Sequence, residues 1–155
     1  MVTDKTNAMR LLDSSKIPYK VFVYDSNETD GEKVAKLVGF PPEEVFKTLV
    51  TVADTREHFV FIVPVNEKLN LKLASKVAGV KNIEMIKQKD LLPLTGYVHG
   101  GCSPIAMKKK FITFIDETAI LSEEICVSAG KKGCQIRLSP ISLANFVGAK
   151  FVKLC

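Results

Sequence analysis

Apolar positions along the chain follow two rhythms, and the two alternate. From about Asp4 to Leu12, Ala8, Leu11 and Leu12 share one side of a predicted helix. Ile17-Pro18 leads into YKVFVY (Tyr19–Tyr24), a strand-length run of β-branched and aromatic residues. Asp30 caps a predicted short helix over Gly31–Val38, which Gly39 closes. Phe46–Ala53 and His58–Val65 read as two strands joined in a hairpin by Asp54–Glu57. Asn70 caps a helix bearing Leu71, Leu73, Ala74 and Val77 that stops at Gly79; Asn82–Ile86 reads as a strand, and Asp90 starts a further short helix. Past Gly96 the texture changes. GYVHGGCSP (Gly96–Pro104) puts three glycines and a proline into nine residues, too many for the interior of a helix or strand. Strands are expected at Phe111–Ile115, Ile125–Ser128 and Gln135–Leu138, the last two joined by the tight basic turn Ala129–Gly133. Ser139-Pro140 is a helix start, Ser as cap and Pro at the first helical position. That helix carries Ile141, Leu143, Ala144, Phe146 and Val147, ends near Gly148, and precedes a closing strand, Lys150–Lys153. Strands outnumber helices and hairpins replace a regular βαβ alternation, so the expectation is a mixed α/β domain, not a doubly wound parallel sheet.

Length and composition narrow this little. The 155 residues suit one domain, and 46% hydrophobic with 25% charged residues is ordinary for a folded protein. Charge is more informative: 22 Lys+Arg against 17 Asp+Glu leaves +5. Residues 1–100 carry 14 basic and 13 acidic side chains and residues 101–155 carry 8 and 4, so four of the five net charges lie in the last third. That excess is too small for a polybasic tail; it suits contact with a few phosphates, and equally a solvated surface. The four cysteines (Cys102, Cys126, Cys134, Cys155) include no CxxC pair, and neither a metal site nor a cofactor is expected. The N-terminal segment has no signal-peptide pattern, and the longest strongly apolar run, Phe59–Val65, has seven residues and contains Pro64. The expectation is a cytoplasmic protein with reduced thiols and no contact with a membrane.

Candidate chemistry is sparse. AGKKG (Ala129–Gly133) lacks the Ser or Thr that a phosphate loop places after its lysine, and GxGxxG and GxSxG are absent. His99 stands three residues before Cys102, but a thiolate nucleophile needs a base within hydrogen-bond reach, and a small buried cysteine lining a glycine loop is the plainer reading. Lys47, inside the apolar run Val45–Val50, either snorkels from an exposed strand face or presents its ammonium in a cleft. Gly100 and Gly101 either make a tight turn or let backbone N–H groups approach a ligand oxygen closely. Lys108, Lys109 and Lys110, and Lys131 with Lys132, are solvated charge unless both groups flank one cleft.

Three segments taken in order go further. Val45–Leu49, Gly96–Pro104 and Val127–Gly133 together resemble the hallmarks of the YbaK/EbsC-type aminoacyl-tRNA deacylases, relatives of the editing domain of bacterial prolyl-tRNA synthetases. The resemblance runs from about Asn7 to Phe151 and is strongest to the YbaK branch, the Cys-tRNA(Pro) deacylases. It implies a mixed, largely antiparallel, barrel-like sheet surrounded by helices, and hydrolysis of the ester between a wrong amino acid and tRNA. A pocket built for proline cannot strongly exclude a cysteine of similar size, so a second site removes the product. The family's key lysine maps onto Lys47, and its glycine loop onto Gly100, Gly101, Ser103 and Pro104. Tyr24, Thr48 and Ser128 fall where the family lines its pocket. Lys108, Lys109, Lys110, Lys131 and Lys132 become candidates for gripping the acceptor end of tRNA(Pro), with prolyl-tRNA synthetase a possible partner. Gln135 stands where many members carry an aspartate, a departure that bears on amino-acid choice. Two alternatives from other classes are a non-catalytic module binding tRNA or a synthetase, and a thiol hydrolase using His99 and Cys102. A deacylase for Ala or another small amino acid is a variant of the first reading.

Overall fold

The computed structural model describes residues 4–25 and 27–155 and places among them five α-helices and eight strands. Numbered in chain order, β1 (Lys20–Val23) pairs with β7 (Cys134–Leu138), which pairs with β6 (Ile125–Ser128); this three-stranded sheet is antiparallel throughout. The second sheet has the order β4-β2-β3-β5-β8: Ile83–Met85, Phe46–Ala53, His58–Pro64, Ile112–Asp116 and Lys150–Val152. Its β2/β3 and β2/β4 pairs are antiparallel, and β3/β5 and β5/β8 are parallel. A parallel bridge between Val45 and Cys126 stitches the entry of β2 to β6, so the two sheets meet along a shared edge. The mixed, largely antiparallel α/β architecture expected from the sequence is what forms.

The main core lies between the sheets. Phe46, Ile62 and Ile115 of one sheet pack against Ile125, Val127, Ile136 and Leu138 of the other. Helices α1 (Asn7–Ser14) and α5 (Pro140–Val147) close this core with Ala8, Met9, Leu12, Leu143 and Ala144. The opposite face of the larger sheet is covered as well: Phe59, Phe61 and Val63 of β3 meet Ala74 of α3 (Leu71–Ala78), with Ile83, Phe114 and Leu154 around them. Burial on both faces is why Phe59–Val63 is a continuous apolar run and not an alternating one.

Local signals set most boundaries. Asn70 Oδ1 accepts from the N–H groups of Lys72 and Leu73, at 3.0 and 3.1 Å, and Ser139 Oγ accepts from Ser142 N at 3.2 Å. Helix α2 (Gly31–Val38) ends at Gly39, which adopts φ 83°. Two starts move. Helix α1 begins after Thr6, whose Oγ1 accepts from Met9 N, so Asp4 lies outside it. Helix α4 (Gln88–Thr95) begins two residues ahead of Asp90 and contains Pro93. Two 3-10 helices, Pro42–Glu44 and Glu117–Leu121, were not foreseen. The first has a positional role: Glu44 pairs with Arg137 of β7, whose guanidinium lies 3.8 Å from the Phe40 ring centroid. That clamp fixes β7 against the approach to β2, and both strands contribute to the site described next. No helix among the described residues is long and apolar enough to cross a membrane.

Candidate active site

The entry half of β2 has an open edge. Strand β4 pairs only with Thr51–Ala53, leaving Phe46–Leu49 uncovered on that side. A cavity of about 170 Å3 opens there, and Phe46, Lys47, Thr48 and Leu49 all line it. Strict alternation would admit only every second residue of a strand; the open edge lets neighbours from both faces reach one space. Lys47 is half-buried. Opposite it, Tyr24 follows β1, with its N–H donating to Gly133 O at 2.9 Å, and Ser128 and Gln135 come from β6 and β7. Gly31 and Val34 of α2, Val65, Leu91 of α4 and Thr29 complete much of the wall.

The polar groups differ in how they are satisfied. Ser128 Oγ accepts from Gly130 N at 3.2 Å. The Tyr24 hydroxyl is hydrogen-bonded to Gln135, and burial holds its proton more tightly than in an exposed tyrosine. Thr48 Oγ1 and Gln135 Oε1 are buried without a hydrogen-bond partner. Burying a polar atom unpaired costs about 1–3 kcal/mol, and both atoms lie beneath the cavity surface, out of reach of a ligand unless their side chains turn.

The glycine loop divides. His99, Gly100 and Cys102 line the cavity, with Gly100 at φ 87°. A Cβ on Gly100 would stand 2.9 Å from Thr29 Cγ2 and 3.6 Å from Lys132 Cγ; one on Gly101 would stand 3.0 Å from the Lys131 carbonyl carbon and Lys132 N. The loop is therefore packed directly onto the basic turn, and it is the small size of both glycines that allows it. Gly101 is not part of the cavity lining, and its N–H donates to Val98 O at 3.0 Å. An oxyanion role for that amide does not survive, because the N–H is already spent. Ser103 and Pro104 are also outside the lining. Ser103 is fully buried, with its Oγ accepting from Ile105 N at 3.2 Å, and Pro104 faces a separate cavity of about 240 Å3 with Lys109, Lys110, Phe111 and Phe146. Their expected contact with substrate gives way to a structural one, turning the loop back into the core.

The basic residues separate in the same way. Lys132 is exposed beside Gly100, next to the half-buried Lys131. Lys108 is exposed along Gly96, and Lys109 and Lys110 belong to the second cavity. Sequence reasoning missed Thr29, Gly31 and Leu91. Gly31 alone had a readable signal, a glycine at the first position of a helix. The Cys102 thiol is pushed up to about 12 by burial, partly offset by a hydrogen bond with Thr95, so it stays protonated near neutrality. The lining has no carboxylate, and among the described residues no three His, Cys, Asp or Glu side chains cluster to hold a metal. What remains is one ammonium, the His99 imidazole, several hydroxyls, an amide and a glycine loop. Such a set positions and polarises a bound ester and offers neither a carboxylate nor a thiolate to attack it.

Known proteins with this sequence and fold are consistent with that chemistry. A protein of Enterococcus faecalis (strain ATCC 700802 / V583), provisionally named the Cys-tRNA(Pro)/Cys-tRNA(Cys) deacylase EbsC, is 42% identical over 152 residues, covering 97% of this chain and 93% of that one. A solved structure provisionally described as a trans-editing enzyme for prolyl tRNA synthetase superposes with a TM-score of 0.83 at 22% identity, over 95% of this chain and 91% of its own. The hypothetical protein APE2540 also gives 0.83, at 19% identity, over 92% of this chain and 96% of its own; both likenesses establish the shared fold. The family model described as "Aminoacyl-tRNA editing domain" matches residues 25–146, which include the Lys47 strand, the glycine loop and the basic turn. The chain belongs to the aminoacyl-tRNA editing domain family, the hydrolases that remove amino acids from tRNA.

Proposed function

We propose that the protein edits in trans, hydrolysing the ester of mischarged tRNA, with Cys-tRNA(Pro) as the principal substrate. The observation that carries this is the convergence of Lys47, Thr48, Gly100 and Gln135 on one small cavity. At about 170 Å3 it is little larger than the ~150 Å3 hole that takes a benzene molecule, so it holds a small aminoacyl group and leaves the nucleoside outside. A steric sieve of that size suits the removal of residues that a synthetase cannot reject by binding alone.

The wall offers neither a carboxylate nor a thiolate, and the substrate provides its own nucleophile. The cysteinyl thiol attacks its ester carbonyl; an S–C bond forms, the C–O bond to the ribose breaks, and the thiol proton passes to the departing ribose oxygen. The cyclic thioester so released hydrolyses in water. Proximity within one bound molecule drives the attack. The Lys47 ammonium holds the terminal nucleotide and favours negative charge, and the Gly100 amide stabilises the tetrahedral oxyanion. Tyr24 and Ser128 shape the wall around the aminoacyl group. The site itself recognises little of the tRNA body, so selection of tRNA(Pro) falls to prolyl-tRNA synthetase, in the cytoplasm. A deacylation panel with Cys-, Ala- and Pro-charged tRNA(Pro) tests the reading. Cys-tRNA(Pro) is expected to be hydrolysed fastest, and Lys47→Ala to lose about 100-fold or more in kcat/KM. Wild-type rates in Lys47→Ala would remove Lys47 from the mechanism. Unchanged hydrolysis after the substrate thiol is deleted would favour an attacking water.

A further inference from the structure

The loop that carries Gly100 separates two cavities. His99, Gly100 and Cys102 line the one already described, and Pro104 and Met107 line another of about 240 Å3, together with Phe111 ahead of β5 and Phe146 of α5. Cys102 and Pro104 are two residues apart, so their Cα atoms are separated by at most about 7 Å. The chain beside them is pinned: Ser103 Oγ accepts from Ile105 N at 3.2 Å, the Tyr97 hydroxyl donates to Ile105 O, and Ile105 is fully buried. The two cavities are therefore neighbours with a fixed spacing.

Their charge sets them apart from the rest of the surface. Among the described residues, neither lining contains a carboxylate, and Lys109 and Lys110 stand exposed at the second cavity. Two other cavities, of about 450 and 440 Å3, carry Glu43, Glu67, Asp116 and Glu117 in one and Glu84 and Asp90 in the other, each against a single lysine. A polyanion is repelled there and drawn to the two sides of the loop. Phe111 and Phe146 are only half-buried, so part of each remains accessible. Aromatic rings flanked by lysines hold single-stranded nucleic acid, the ring stacking on a base while the ammonium groups meet phosphates. At about 240 Å3 the cavity exceeds the ~150 Å3 that takes a benzene molecule, which leaves room for a pyrimidine ring.

We propose that this second cavity is a base-stacking subsite for the unpaired 3′ strand of tRNA. It takes a nucleotide that precedes the terminal adenosine, while the aminoacyl end sits on the other side of the loop. The inference rests on the deacylase reading and adds to it the path of the strand beyond the reacting ester. Bases inside a helix are stacked on their neighbours and offer no free face, so the subsite accepts a single-stranded end and not a duplex. Every base has a face to stack, so the subsite adds affinity for tRNA in general and leaves the selection of tRNA(Pro) elsewhere.

The test uses tRNA(Pro) with an abasic nucleotide placed in turn at each of the two positions before the terminal adenosine, uncharged for binding and Cys-charged for hydrolysis. At one of these positions, loss of the base is expected to weaken binding to the wild type by about tenfold and to raise KM more than it lowers kcat. Phe111→Leu and Phe146→Leu keep the cavity apolar and each remove a ring. Both should weaken binding of intact tRNA and shrink the abasic effect, because the stacking it reports is already reduced. The abasic comparison needs only the wild type, so it stands should either variant fold poorly. Equal binding of intact and abasic tRNA at both positions, or an abasic effect undiminished in both variants, would overturn the inference. The tenfold loss in binding without release of cysteine from charged tRNA would keep the subsite and overturn the deacylase reading instead.

Discussion

Cys102 shows how the same loop position reads differently in sequence and in space. Three residues after His99 it invites a thiol-enzyme reading, and both side chains do line the cavity. Burial nevertheless pushes its thiol up to about 12, from an ordinary 9.0, and the reactive form of cysteine is the thiolate. Cys102→Ala should therefore deacylate within about tenfold of the wild type, since it changes only a small part of the cavity wall. Alkylating reagents at neutral pH should leave the native enzyme active. The raised pKa has a thermodynamic counterpart. A folded-state value above the unfolded one means that burying the neutral thiol favours folding below pH 9, and that this contribution fades as pH rises from 9 towards 12. Denaturant midpoints for wild type and Cys102→Ala should diverge across that alkaline range, with the wild type losing more. An equal fall in both proteins would assign the alkaline loss elsewhere, for instance to Tyr97, whose phenol is also pushed up to about 12.

Between elements, the site depends on how closely α2 can approach the segment after β3. A Cβ built on Gly31 would stand 2.7 Å from both Cβ and Cγ1 of Val65, and both residues line the cavity. Alanine is the better helix former by about 1 kcal/mol, so on propensity alone Gly31→Ala would stabilise α2. Overpacking costs about 1–3 kcal/mol, and because the clash involves Val65 Cβ, a shift of rotamer cannot relieve it. The clash wins, and Gly31→Ala is expected to lower both stability and kcat/KM. Val65→Gly in the same chain, which removes both clashing atoms, should restore part of each, giving a positive coupling in a double-mutant cycle. Caps and turn residues made the elements legible: Asn70 with Gly79 and Ser139-Pro140 with Gly148 bracket helices where expected, and Asp30 with Gly39 brackets α2 although the Asp30 side chain makes no cap hydrogen bond. What stayed hidden depends on partners distant in sequence. Thr29 and Leu91 reach the cavity only because α2 and α4 dock beside β2, and nothing local marks them. Lys47 and Thr48 share the cavity because β4 stops short of them, which no strand pattern encodes. Ser103 and Pro104 adjoin the functional glycines in sequence, yet the chain turns inward between Cys102 and Ser103.

At the scale of the molecule, the basic excess after residue 100 resolves into two neighbourhoods on either side of the glycine loop. Lys132 stands beside Gly100, which lines the candidate cavity, while Lys109 and Lys110 flank the cavity that also takes in Pro104, Phe111 and Phe146. Charge alone could not say whether these lysines are solvated or grip phosphate; their placement along one loop gives that question a measurable form. A lysine that neutralises a phosphate releases counterions, so its removal lowers the slope of log K against log salt by about 0.7–0.9. Lys132→Ala should therefore weaken binding of uncharged tRNA and flatten its salt dependence by roughly one such unit. Because it adjoins Gly100, it should also raise KM for the charged tRNA more than it lowers kcat. Lys109→Ala and Lys110→Ala, farther from the reacting ester, should flatten the salt dependence of binding while changing kcat little. Binding measured across a salt series separates the outcomes. A slope unchanged by all three substitutions would return these lysines to the solvated surface and leave the acceptor end held by Lys47 and the loop alone. A slope reduced only by Lys132→Ala would confine the tRNA to the Gly100 side of the loop. Reduction by all three would mean that the acceptor strand crosses it, with the terminal adenosine at Lys47 and the preceding nucleotides running towards Phe111 and Phe146.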